Sequence, residues 1–157
     1  MLSQNDTKEV LKLIAKHRER KERLVFTNGC FDLIHVGHVR YLEQAKQLGN
    51  ILVVGLNGDD SVKRIKGAGR PVTPVEERRE ILLSLRAVDY VCVFDEDTPL
   101  ELIKAVSPDV LVKGGDWPVE KIVGADFVQA RGGEVRSLPY LPGHSTSEIL
   151  ERVKRLG

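Results

Sequence analysis

Two histidines, His35 and His38, stand three positions apart around Gly37 in "NGCFDLIHVGHVRYL" (28–42), directly after the apolar run Leu24-Val25-Phe26. If a helix begins near Gly37, that spacing turns both imidazoles toward the space above its first turn. The glycine leaves that space open. Free amides and the positive end of the helix dipole favour a phosphate there, and two imidazoles can donate to phosphoryl oxygens as charge builds during a displacement. That is electrostatic stabilisation of a transition state. The same spacing also fits a plain helix cap with the second ring packed inside, and spacing alone leaves both readings open. A zinc site built from Cys30, His35 and His38 has only three ligands and no paired Cys-x-x-Cys spacing, so no metal site is expected.

These histidines need elements to position them. Residues 6 to 22 carry Val10, Leu11, Ile14 and Ala15 at helical spacing, which predicts an amphipathic helix covering the edge of something larger. Strand-length apolar runs then recur at 24–27, 51–56, 90–94, 110–113 and 134–138. Helical patterning lies between them at 38–48, 74–85, 98–106 and 119–130. Alternation of strand and helix predicts an α/β domain with a mostly parallel sheet. The unbroken run "ILVVGL" (51–56) reads as a strand buried on both faces. The 157 residues are expected to form one domain, with 1–23 as a helical extension and 24–157 as the α/β core.

In open parallel sheets, ligands sit beyond the carboxyl ends of the strands where chain order reverses. The unusual residues all follow strands: "TNGCFDLIHVGH" the first, "NGDDSVKRIKGAGRP" the second, "DEDTP" the third, "KGGDW" the fourth and "PYLPGHSTS" the fifth. They are therefore expected to converge on one cleft. Lys113, Gly114, Gly115 and Asp116 end the fourth strand, where glycines let a flat base or sugar approach the backbone. Asn57 and Asp59 can bond sugar hydroxyls or form a turn. Ser145, Thr146 and Ser147 precede "EILERV" as helix caps, and Ser145 with Glu148 fits a capping box. Trp117 and Tyr140 are candidate cavity walls.

Composition narrows the partners. Lys and Arg number 24 against 23 Asp and Glu, so no global field favours nucleic acid or a membrane surface, and any anion site must be local. The run "KHRERKER" alternates in sign and reads as a solvated helix face. No apolar stretch approaches membrane-spanning length, and Cys30 and Cys92 are far apart, which predicts a cytoplasmic location.

"GCFDLIHVGHVRYL" resembles the first motif of the cytidylyltransferase-like nucleotidyltransferases, Gly-x-Phe-Asp-x-x-His-x-Gly-His, matched by Gly29, Phe31, Asp32, His35, Gly37 and His38. "KGAGRP" (66–71) resembles the superfamily's Lys-Gly-x-x-Arg-Pro, and "EERR" places Glu76 and Arg78 at its Glu-x-Arg signature. "GHSTSEIL" (143–150) is similar to its closing Ser-Thr-Thr helix start, with Ser at 147 in place of Thr. "RPVTPVEERREIL", "VDYVCVFDEDTP" and above all "VKGGD" (112–116) most resemble the domain that adenylylates D-glycero-D-manno-heptose 1-phosphate in building ADP-heptose for lipopolysaccharide.

That resemblance implies a Rossmann-like, doubly wound, parallel five-stranded sheet flanked by helices, of the HxGH nucleotidyltransferase type. It implies ATP as substrate with Mg²⁺ carried on it, a sugar 1-phosphate as acceptor, a separate heptose kinase supplying that acceptor, and a homo-oligomer. His35, His38 and Lys66 are implied as catalytic groups. Thr27, Asn28, Gly29, Cys30, Phe31, Gly37, Lys113, Gly114, Gly115, Asp116, Ser145 and Thr146 are implied at the nucleotide, and Asp32, Asn57, Asp59, Arg70 and Arg78 at the second substrate. The alternatives are a cytidylyltransferase acting on glycerol 3-phosphate or another alcohol phosphate, and a nucleotide-binding module without catalysis.

Overall fold

The computed structural model describes residues 6–157; the part of the expected N-terminal extension before Asp6 lies outside the described residues. Five strands form one sheet in the order β3-β2-β1-β4-β5, with every neighbouring pair parallel. They are β1 (Leu24–Gly29), β2 (Ile51–Asn57), β3 (Tyr90–Phe94), β4 (Val110–Gly114) and β5 (Glu134–Leu138). All five predicted strands are present, each within two residues of its expected bounds. From β1 the chain builds outward through β2 to β3, then crosses back and builds β4 and β5 on the other side. Chain order therefore reverses between β1 and β4, and the crevice opens at their carboxyl ends.

The sheet is doubly wound because its strands carry apolar side chains on both faces. Leu24 and Phe26 of β1 join Val53 of β2 and Leu111 of β4 in one core cluster. Val25 joins Leu52, Val54 and Val112 in the other, as the two-residue alternation of a strand requires. All seven residues of β2 are buried, as its unbroken apolar run predicted.

Seven α-helices are described: α1 (Thr7–Glu19), α2 (Val36–Lys46), α3 (Asp59–Lys66), α4 (Val75–Ser84), α5 (Leu100–Val106), α6 (Ala125–Ala130) and α7 (Thr146–Lys154). Helix α1, capped by Asp6, packs on the edge strand β3 and on α5, and buries Val10 and Ile14 in the same core as Phe26. His17 Nε2 pairs with the Tyr90 hydroxyl at 2.7 Å, and the Arg18 guanidinium donates to the Val106 and Ser107 carbonyls. The expected edge-covering helix is thus present and stitched to the sheet.

Two elements differ from expectation. Residues 59–66, quoted within a glycine-rich segment, form α3, with Asp59 and Asp60 in its first turn and Lys63, Arg64 and Lys66 in its last. That polarity suits the helix dipole, but eight residues are too few to show apolar periodicity. The helical stretch expected over 119–130 splits into a 3₁₀ turn (Val119–Lys121) and α6. Gly124 causes the break: it sits at φ +88°, and an added Cβ would lie 2.9 Å from Ile103 Cδ1.

Candidate active site

A cavity of about 810 Å³ lies over the carboxyl ends of β1 and β4, a volume suited to a small-molecule ligand. Its wall includes His35, His38, Lys66, Lys113 and the start of α7. Chain segments more than a hundred residues apart meet there.

His35 is the N-cap of α2, in extended conformation, and the two imidazoles close a reciprocal box at the helix start. The Gly37 amide donates to His35 Nδ1 at 3.1 Å, and the His35 amide donates to His38 Nδ1 at 3.2 Å. A backbone N–H can only donate, so each Nδ1 must offer a lone pair, and in the neutral ring the proton must sit on Nε2. Both histidines line the cavity. The backbone thereby fixes the tautomer that offers the cavity two Nε2–H donors. The rings stack with centroids 3.9 Å apart, and Phe31 backs His38 at 5.4 Å. Capping and phosphate donation, left open by the spacing, are compatible because they use opposite nitrogens.

Electrostatics keep these rings neutral when no anion is bound. Burial, and to a lesser extent proximity to His35, pushes His38 down to about 4 from its ordinary value of 6.5. His35 is also lowered, by burial and by His144, with Glu148 acting in the opposite sense. A base whose folded pKa is depressed binds its proton more readily in the unfolded chain, so stability falls as pH drops. His38's contribution should be intact above about 6.5 and lost progressively down to about 4. Urea midpoints measured between pH 7 and pH 4 should therefore fall more steeply for the wild type than for His38→Gln. Parallel slopes would contradict the buried neutral ring.

Asp32, on the cavity wall, and Arg78, behind it, shape the site. The Asp32 side chain is fully buried and accepts from Arg70 Nε at 2.8 Å, the Val72 amide at 2.8 Å and the Thr73 amide at 3.0 Å. Burial alone would raise its pKa, but these donors outweigh it and hold the carboxyl below its usual range. Its carbonyl accepts the Thr146 hydroxyl at 2.8 Å. One residue thus ties the β1–α2 loop to the 70–73 loop and to the start of α7. The Arg78 guanidinium is buried away from the cavity. It donates to the carbonyls of Thr73 (2.8 Å), Cys30 (2.7 Å) and Asn57 (2.8 Å), and to Asp59 Oδ1 (2.7 Å). The anion contact expected of Arg78 is corrected on this geometry to a brace, since the group is buried and four of its five N–H donors are spent on the protein.

A cationic corner remains. Burial pushes the Lys113 ammonium down, and nearby Lys66 adds to the shift while Cys30 opposes it. The Cys30 thiol is raised by burial, against the pull of Lys66, Arg78 and Arg70. Asp32 is paired with Arg70, and Asp97 and Glu148 lie elsewhere on the wall, which leaves Lys66 and Lys113 as the local cations for an anionic ligand.

Asn28, Gly29, Cys30, Phe31, Gly37, Asn57, Arg70, Gly114, Ser145 and Thr146 also line the cavity. Thr27, Asp59, Gly115 and Asp116 do not form part of its wall. Thr27 is buried, with its hydroxyl 2.6 Å from the Tyr41 hydroxyl. Gly114 was expected to admit a flat ligand ring, but the ring lying there is that of Tyr140, 2.7 Å from where a Cβ would be. Ser145 caps α7 by accepting from the Glu148 amide at 3.1 Å. Sequence reasoning did not single out His144, Tyr41 or Thr98, which also face the cavity. The quoted "PYLPGHSTS" contained His144, but its place in space was not readable from spacing. Among the described residues, no group of three or more His, Cys, Asp and Glu side chains is placed to hold a metal ion, and no helix is long and apolar enough to cross a membrane.

Known proteins resemble this chain. The chain is 54% identical over 140 residues to the bifunctional protein HldE of Citrifermentans bemidjiense, covering 89% of this chain and 29% of that protein. It is 53% identical over 149 residues to the bifunctional protein HldE of Pseudomonas syringae pv. syringae, covering 95% and 31% respectively. The chain thus spans about three tenths of the length of the curated relatives it matches. A crystal structure of the lipopolysaccharide core biosynthesis protein from Thermoplasma volcanium superposes with a TM-score of 0.60 at 27% identity, covering 76% of this chain and 97% of that one. The sequence from Phe26 to Arg152 matches the Cytidylyltransferase-like family, and with the paired histidines at the reversal point of a parallel sheet, the chain belongs to that nucleotidyltransferase family.

Proposed function

We propose that this chain transfers the adenylyl group of ATP to D-glycero-D-manno-heptose 1-phosphate, giving ADP-heptose and pyrophosphate for the lipopolysaccharide core. The observation that carries the reading is the pair of Nε2–H donors, tautomerically fixed by the α2 backbone, facing a cavity that also holds Lys66 and Lys113. Relatives named HldE and a neighbour named for lipopolysaccharide core biosynthesis support the choice of acceptor.

In this reaction a sugar-phosphate oxygen forms a bond to the α-phosphorus of ATP while the bond to the bridging α–β oxygen breaks. The nucleophile is already an anion at neutral pH, so no general base is required. Catalysis rests on positioning two anions and neutralising charge in the transition state. His35 and His38 donate to the α-phosphoryl oxygens, and Lys66 bridges the two reactants. Backbone amides from Asn28 to Phe31 and the start of α7 hold the triphosphate. ATP would carry Mg²⁺, which would offset part of the triphosphate charge. A heptose kinase supplies the acceptor, and the enzyme works in the cytoplasm as a homo-oligomer.

The test is pyrophosphate release when heptose 1-phosphate is mixed with ATP or with CTP. Release with ATP is the expected result. Turnover with CTP alone would replace the nucleotide assignment, and no turnover with either would leave a binding module.

A further inference from the structure

A third histidine, one that no motif required, stands beside the paired imidazoles. His144 lies on the turn between β5 and α7, one residue before the Ser145 cap, and it lines the same cavity as His35 and His38. Its Cβ is 3.2 Å from where a side chain on Gly37 would begin, and the His35 ring is 2.8 Å from that same point. The missing side chain of Gly37 is thus the space that the His35 ring and the His144 Cβ share. Electrostatics register the same proximity, since His144 lowers the pKa of His35. Among the described residues, the His144 ring has no protein hydrogen-bond partner, whereas His35 and His38 each spend one nitrogen on the backbone. Both of its nitrogens remain for a ligand.

The position selects which phosphates it meets. His35 and His38 stand at the start of α2, while His144 stands at the start of α7, beside the amides and hydroxyls of Ser145 and Thr146. Ser145 Oγ accepts from the Glu148 amide, and Thr146 Oγ1 donates to the Asp32 carbonyl. Thr146 has thus spent its proton, while His144, like the Ser145 O–H beside it, keeps a donor uncommitted at this helix start. We propose that His144 binds the pyrophosphate moiety of the nucleotide, the β- and γ-phosphates that leave, as a third imidazole across Gly37 from the α-phosphate pair. The assignment rests on the reading of this cavity as a nucleotidyltransferase site.

Calorimetric titration of the wild type and of His144→Ala with inorganic pyrophosphate, ATP and AMP tests it. AMP carries only the α-phosphate and is the internal control. The expected result is about tenfold weaker binding of pyrophosphate and ATP in the variant, the scale of one lost charge-assisted hydrogen bond, with AMP affinity unchanged. The side chain is exposed, so the thermal midpoint should not move. His144→Gln, which keeps a donor, should recover part of the loss. Equal pyrophosphate affinity in wild type and His144→Ala would overturn the assignment, as would an equal loss for AMP or a wild type that binds no pyrophosphate. The adenylyltransferase reading fails separately, if pyrophosphate binds through His144 yet no heptose 1-phosphate is turned over.

Discussion

Replacing His38 by alanine should lower turnover by about 10²- to 10³-fold while leaving a folded protein, the scale of loss when one preorganised donor to a developing oxyanion is removed. The expectation follows from how the ring is held. Its Nδ1 accepts the His35 amide, so the Nε2–H is fixed in direction before substrate arrives. No reorganisation is needed as charge builds on the phosphoryl oxygens. The His35 amide loses its acceptor in the variant, which should cost about 1 kcal/mol of stability, as for other N-cap deletions. Steady-state pyrophosphate release gives kcat and KM, and urea unfolding gives the stability. A drop in kcat with ATP KM nearly constant marks a donor that acts in the transition state. Near-normal kcat would remove His38 from the mechanism and leave it as a cap.

Arg78→Ala should give the largest loss of stability, about 3–5 kcal/mol, because three carbonyls each lose a charged donor at about 1–3 kcal/mol apiece while the partly exposed Asp59 is re-solvated. Arg78 is only 1% exposed at its side chain. It joins Cys30 after β1, Asn57 at the end of β2, Asp59 at the start of α3 and Thr73 before α4. Its removal strands three carbonyls and leaves the Asp59 carboxylate without its cation. Arg78→Lys keeps the charge, but an ammonium cannot span four acceptors arranged for a planar fork. That variant should lose about 1–3 kcal/mol and remain measurable if the alanine variant does not fold. Circular dichroism across a urea series decides the matter. A shift below about 0.5 kcal/mol in Arg78→Lys, the size of ordinary surface effects, would contradict a bracing role.

Arg78 also shows where reading by motif stops. The Glu-x-Arg resemblance located an arginine that matters and implied contact with an anion. Burial and four hydrogen bonds to the protein give it a different task. Asp32 is a parallel case: the motif picked the residue, while its three donors show a carboxylate that holds the 70–73 loop. Such roles depend on which segments stack beneath the site, and that information is spread over positions 30 to 78. The strands were legible for the opposite reason. Each is a local apolar run, and period-two alternation carries its own signal to both faces of the sheet. Helix α3 escaped because two short turns hold too few apolar residues to set a period. The 119–130 stretch splits at Gly124, whose left-handed conformation and lack of room for a Cβ beside Ile103 leave no trace in local spacing.

The amino-acid sequence by itself determined the α/β alternation, the five strands, the loops at their carboxyl ends and the identity of the paired histidines. Hydrophobic period and motif spacing are properties of neighbouring residues, so a linear reading suffices for them. Only the tertiary structure decided the rest. It placed β4 beside β1 and opened the crevice there. It turned Arg78 and Asp32 inward as braces and set the ring of Tyr140 over Gly114. It also carried His144 across Gly37 to the α2 histidines, 109 positions along the chain from His35. Those outcomes are contacts between segments remote in sequence, settled by packing and by the need to satisfy every buried polar group. No local pattern encodes them.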